Sequence, residues 1–166
     1  MENENWINFV DLTGCFDRTP TNDEVKMFLN SMAQLGRKFK TLSSDWYVIV
    51  PKSSKKIKHI RNSSQFEYMN KSQIRRHNKY ILAVETLLAN AIYIGEKEND
   101  KKKEKPNIYK YHYFKTKVKM NDNIYEIIID TEERINDSTT KPQTVYLYDI
   151  NEKKNSSLSA NFFKGR

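Results

Sequence analysis

The sequence predicts an α+β fold, with helices packed on one face of a roughly four-stranded antiparallel sheet. Three observations carry this expectation. Tyr109 to Met120 alternates in the manner of a strand: Phe114, Thr116, Val118 and Met120 fall on one face, and Lys115, Lys117 and Lys119 on the other. Asn121-Asp122-Asn123 then reads as a hairpin turn before a returning strand, Ile124 to Thr131. Two stretches upstream repeat apolar residues at helical spacing.

Taken in order, Trp6 to Val10 is a short apolar run, a strand or a lead-in. Thr21-Asn22-Asp23-Glu24 reads as a capping box. Val25, Phe28, Leu29, Met32 and Leu35 follow on one helical face, and Gly36 is a fitting stop. Trp46 to Val50 is a strand by propensity, ended by Pro51. Lys52 to Lys58 is a basic, serine-containing segment, and Ser64 with Glu67 suggests a second capping box. The main helix is expected from Ser72 to Ile94, with Ile74, Ile81, Val84, Leu88, Ala91 and Ile92 buried and Gly95 as its end. Glu96 to Asn107 reads as a charged, mobile loop.

In the sheet, Tyr109, Tyr111 and Tyr113 fall on the lysine face and His112 on the apolar face. Tyr125, Ile127 and Ile129 share one face of the returning strand, and Ile124, Glu126, Ile128 and Asp130 the other. Glu132 to Gln143 is a polar connection. The last strand, Thr144 to Ile150, puts Thr144, Tyr146 and Tyr148 on one face and Val145, Leu147 and Asp149 on the other. The whole chain, 1–166, reads as one domain, with a core over about 6–151 and a polar tail over 152–166.

With 29 Lys and Arg against 21 Asp and Glu, the formal charge is +8, which favours polyanionic partners such as RNA, DNA or an anionic membrane face. A lysine-coated, well-hydrated surface is the plainer explanation. Cations and aromatic rings on one sheet face suit single-stranded nucleic acid, because the cations neutralise phosphate and the rings stack on bases. Cys15 is the one cysteine, so neither an internal disulfide nor a cysteine-rich zinc site is available. No run approaches ~18 apolar residues and no signal peptide is evident, so no membrane partner is expected and a cytoplasmic location is. Delivery into a target cell would need a route not encoded here. No metal spacing, phosphate loop or dinucleotide fingerprint is present, and no cofactor is expected.

A larger pattern runs through the chain: helix, strand, Lys-Lys-x-Lys-His, long helix, basic loop, Tyr-rich hairpin and a Tyr-x-Tyr-Asp strand. The residues that carry it are Lys58-His59, the Leu82–Ala91 stretch, Tyr111, Tyr125 and Tyr146-Leu147-Tyr148-Asp149. Over about Trp6 to Asn151 this resembles the phage-borne large polyvalent protein-associated domain, third type, which is grouped with the barnase/EndoU/colicin/RelE-like nuclease superfamily. The resemblance implies a barnase/RelE-like frame and metal-independent ribonuclease activity. It also implies a toxin or effector of phage or mobile-element origin, cutting tRNA or messenger RNA, and a cognate immunity or antitoxin protein as partner. A nucleic-acid-binding module without catalysis and a protein-interaction effector domain are the alternatives.

Metal-free RNA cleavage needs a base, an acid and a cation at the phosphate. His59 beside Lys58 is the first candidate for acid or base, against an exposed loop histidine. His112 is the candidate partner, against a packed strand residue. Arg75 and Tyr148 complete the expected catalytic set. Arg76 and His77, near a helix start, are candidates to hold phosphate. Tyr111, Tyr113 and Tyr146 are candidates to stack on bases, against cross-strand pairs that only stabilise the sheet. Lys115 and Lys117 would track the backbone, or guard a strand edge. Asp149 would orient a histidine or close a turn, and Ser156, Ser157 and Ser159 would supply hydroxyls or merely a flexible tail.

Overall fold

Thr21 opens the first helix as its sequence requires. Its hydroxyl accepts from Glu24 N at 3.1 Å, and the Glu24 carboxylate accepts from Thr21 N at 2.8 Å. The computed structural model describes residues 9–62, 69–135 and 143–153. The start of the Trp6 run, the Ser64–Glu67 box and the C-terminal tail beyond 153 lie outside them.

The elements are β1 (Val10–Asp11), α1 (Asn22–Leu35), β2 (Lys38–Lys40), β3 (Trp46–Ile49), α2 (Ser54–Arg61), α3 (Lys71–Leu82), α4 (Val84–Ala89), β4 (Ile92–Glu98), β5 (Ile108–Met120), β6 (Asn123–Arg134) and β7 (Gln143–Lys153). The strands form one mixed sheet in the order β1-β5-β6-β7-β3-β2, with β4 also paired to β5. β1 runs parallel to β5 and β3 parallel to β7; the other pairs are antiparallel.

This overturns the expected four-stranded antiparallel sheet with helices on one face, and with it the barnase/RelE-like frame. Among the described residues the sheet has seven strands, is mixed, and curls as a half-barrel accompanied by four short helices. The extra strands escaped the sequence for physical reasons. Lys38-Phe39-Lys40 is too short for a pattern, and only Phe39 is buried. A parallel pairing such as β3 with β7 joins residues about a hundred apart, so no turn chemistry announces it.

The expected Ser72–Ile94 helix is likewise broken. α3 ends at Leu82, Ala83 leaves helical geometry at φ −98° and ψ 14°, and α4 ends before Asn90. Ile92, Tyr93 and Ile94 continue the helical apolar period but enter β4, where branched and aromatic side chains fit a pleated surface. Gly95, at φ 147°, sits at the irregularity in β4 instead of stopping a helix. The basic segment that begins at Lys52 enters a helix from Ser54: Ser53 caps α2, its hydroxyl accepting from Lys56 N.

The β5–β6 hairpin follows its sequence closely. Asn121, at φ 55°, makes the turn, and Val118 pairs with Tyr125. Phe114, Val118, Met120, Ile127 and Ile129 join one large core with Val25, Leu29, Ile60, Ile81 and Leu87 from the helices. Tyr113 and Ile128, from the opposite faces of their strands, form a separate small cluster.

One polar network pins α3 to the sheet. Arg76 donates to both oxygens of Glu152 at 2.7 and 2.8 Å, and the Tyr80 hydroxyl donates to the same carboxylate. The Arg76 guanidinium also lies 4.3 Å from the Tyr125 ring centroid. Glu152 is largely buried, so removing Arg76 strands a carboxylate away from water. Arg76→Ala should therefore cost about 3 kcal/mol in urea unfolding. Arg76→Leu combined with Glu152→Leu should recover most of that loss. A single variant as stable as the parent would show that the pair holds nothing.

Candidate functional site

On α2, Lys55, Lys56 and His59 are spaced three and four residues apart and so share one face, while Ile57 and Ile60 turn into the core. That basic face borders a groove of about 910 Å³. Lys105 and Pro106 from the β4–β5 loop form a second wall, and Arg134, Tyr146 and Tyr148 from β6 and β7 are the strand contribution.

Tyr148 is the centre of this arrangement. The His59 ring stacks on it with centroids 4.2 Å apart and planes 18° from parallel. Lys105 Nζ donates to the Tyr148 hydroxyl at 2.7 Å. Lys56 Nζ lies 5.4 Å from the same ring centroid, and Tyr111 leans toward it at 6.0 Å. Under these groups lies Glu132, only 1% exposed; Lys56 donates to both its oxygens at 2.9 and 3.1 Å, and Lys105 stands 3.8 Å away.

A bulge in β7 makes this geometry. Asp130 pairs with Asp149 and Thr131 with Leu147, so Tyr148 is an extra residue. Asp149 consequently lies on the Tyr148 side, not on the Val145 and Leu147 face that strict alternation predicts. Its Oδ2 comes 3.8 Å from His59 Nε2, while its Oδ1 accepts from Ile150 N. His59 Nε2 is buried in this contact.

The loop that carries Lys105 is held by a buried asparagine. Asn99 Nδ2 donates to the carbonyls of Lys105 at 3.0 Å and Ile108 at 2.9 Å, and its Oδ1 accepts from Lys101 N at 2.9 Å. The sequence read this segment as a mobile loop. Instead β4 takes its first residues, through Glu98, and Asn99 ties the rest into place.

His59 is pushed down to about 4 from an ordinary 6.5, first by burial, then by the charges of Lys105 and Lys56. It is thus a neutral imidazole near pH 7, able to take a proton. Burial, and then the negative charge of Glu132, raises the Tyr111 phenol.

The family model for large polyvalent protein-associated domain 3 matches residues 20–146, a span that includes α2, the Asn99 loop and Tyr146. The chain belongs to this family. Its phage association follows from that membership. No curated protein and no solved structure matches. Among the described residues of this polyvalent protein-associated domain, no helix is long and apolar enough to cross a membrane, and no cluster of three His, Cys, Asp or Glu could hold a metal.

Of the residues singled out from sequence, His59, Tyr148 and Tyr146 line the groove and Tyr111 leans on it from behind. Lys58 is exposed on a different face of α2, and Arg75 is exposed on α3. Arg76 is committed to Glu152, and His77 is buried, its ring pushed down to about 4 by that burial. His112 lies in another polar cluster. Its Nε2 lies 2.6 Å from a Glu133 carboxylate oxygen and its Nδ1 3.0 Å from the Tyr93 hydroxyl, against Trp46. Tyr113 is buried, Lys115 meets Glu126 at 2.9 Å, and Lys117 pairs with Glu126 across the strands. Ser156, Ser157 and Ser159 fall outside the described residues. Lys56, Lys105, Arg134, Glu132 and Asn99 were not singled out. Only Lys56, three residues before His59 in a helix-compatible segment, carried a local signal.

Asn99→Ala should release Lys105 from the groove and raise the His59 titration above about 4, part of the way toward 6.5, because burial, the larger cause, remains. An NMR titration of the imidazole reads this directly. An unchanged midpoint would mean that Lys105 does not depend on the clamp.

Proposed function

We propose that the groove binds RNA and cleaves it without a metal ion. The reading is supported above all by the convergence of a neutral histidine, a lysine-bound tyrosine hydroxyl and two lysines around Tyr148. His59 Nδ1 takes the proton of a ribose 2′-hydroxyl, with Asp149 on the far side of the ring steadying the charge that develops. The 2′-oxygen bonds to the adjacent phosphorus as the bond to the 5′-oxygen breaks, and a 2′,3′-cyclic phosphate remains. Tyr148 accepts a hydrogen bond from Lys105 and so keeps its own proton to give to the departing oxygen; Lys105 then steadies the phenolate. Solvent returns a proton to Tyr148 and removes one from His59. Lys56 and Lys105 face the phosphate, drawn toward the shared carboxylate of buried Glu132.

Kinship with the barnase/EndoU/colicin/RelE-like nucleases belongs to this proposal as shared chemistry. Action as a toxin on tRNA or messenger RNA, paired with an immunity protein, belongs to it by analogy.

Purified protein incubated with total tRNA and EDTA should yield fragments ending in cyclic phosphate. His59→Ala and Tyr148→Phe should each slow this on the order of 100-fold. The pH profile should keep activity down to an acid limb near 4, because the base form of His59 persists above that value. Intact tRNA from about pH 5 to 8, with salt-sensitive binding, would replace the enzyme by a binding module. No binding at all would discard both.

A further inference from the structure

We infer that the Arg134 end of the groove is a nucleobase subsite, which makes the substrate single-stranded RNA with an unpaired base beside the bound phosphate. The inference rests on the RNA reading above. Arg134 sits over Tyr146, its guanidinium carbon 3.5 Å from the ring centroid. Other cations around the sheet are matched: Lys56 with Glu132, Arg76 with Glu152, Lys110 with Glu96 and Lys115 with Glu126. Among the described residues Arg134 has no carboxylate partner. A guanidinium plane backed by a phenol ring is a stacking platform of the kind that suits any base.

An apolar wall stands beside this platform. Ile108 pairs with Arg134, and Ile135 N donates to the Asn107 carbonyl at 2.9 Å, bringing Pro106, Ile108 and Ile135 together in the groove lining. Ile135 is 47% exposed, although a side chain of its kind ordinarily seeks cover. A flat heteroaromatic ring covers both surfaces at once, its face on the guanidinium and its edge along the aliphatic wall.

Spacing ties the platform to the chemistry. Arg134 is two residues beyond Glu132 on β6, about 6.6 Å along the strand and on the same face. That offset separates the lysine pair from the stacking platform by roughly the reach of one nucleotide, phosphate to base. A duplex, whose bases are paired and stacked inside, offers nothing to the platform.

The test uses fluorescence anisotropy with a short single-stranded RNA and an oligomer of equal length whose ribose-phosphate backbone carries no bases. The natural chain should bind the RNA at least about 10-fold more tightly than the abasic oligomer. Arg134→Gln and Tyr146→Ala should each erase that preference. Lys105→Gln should weaken both oligomers alike and lower the salt dependence. Arg134→Gln changes a partly exposed side chain, so its circular dichroism should match the parent even if Tyr146→Ala unfolds. Equal, salt-sensitive binding of the two oligomers, or equal binding of an RNA duplex, would overturn the subsite and leave the RNA reading standing. Failure to bind any of them would overturn the RNA reading itself.

Discussion

Opposite Tyr148 there is no residue of β6: Asp130 faces Asp149, Thr131 faces Leu147, and the chain between must accommodate one position too many. This bulge is the constraint on which the groove depends. Leu147 and Ile150 both remain in the core, three residues apart where a regular strand allows two or four. The two residues between them, Tyr148 and Asp149, are both delivered to the side where α2 lies. His59 can then stack on one and face the other. An unbulged strand would send Asp149, already buried, into apolar surroundings beside Leu147, and would leave His59 with a ring but no charge behind it.

Charge is organised by the same curl. Much of the positive surplus is spent against acids inside the sheet: Lys115 against Glu126, Arg76 against Glu152, Lys110 against Glu96. The Lys- and Tyr-bearing face of β5 therefore does not stand open as a basic sheet surface, and Tyr113 on it is buried with Ile128. Cationic character survives at the groove, where Lys55, Lys56, Lys105 and Arg134 gather around the buried carboxylate of Glu132. Low-dielectric walls strengthen their field on anything bound there, and the charges of Lys105 and Lys56 add to the burial that lowers the His59 titration.

The two strand-proximal histidines illustrate how environment assigns roles. His112 has both ring nitrogens engaged, between Tyr93 and Glu133, with Trp46 and Phe114 packed around the cluster. Burial lowers its titration while Glu133 opposes that change, and the ring serves as a fixed strut in the core. His59 has lysines beside it instead: burial first, and then the charges of Lys105 and Lys56, lower its titration to about 4.

The sequence by itself determined the features that rest on local chemistry. The Thr21–Glu24 capping box, the Asn121 turn and the two-residue alternation of β5 and β6 all follow from side chains within a few residues of one another. Tertiary structure decided what local pattern cannot encode. The parallel pairing of β3 with β7 has no turn to announce it, and Ile92 to Ile94 keep a helical period while joining a strand whose partner lies some twenty residues on. Lys105 looked like one charge in a lysine-rich loop until buried Asn99 fixed that loop against Tyr148. Glu132 looked like the start of a polar connection until β6 carried it under two lysines. Their roles exist only where long-range hydrogen bonds and burial bring distant segments together, because an ion pair or a clamp is a property of two places in the chain and neither place records it alone.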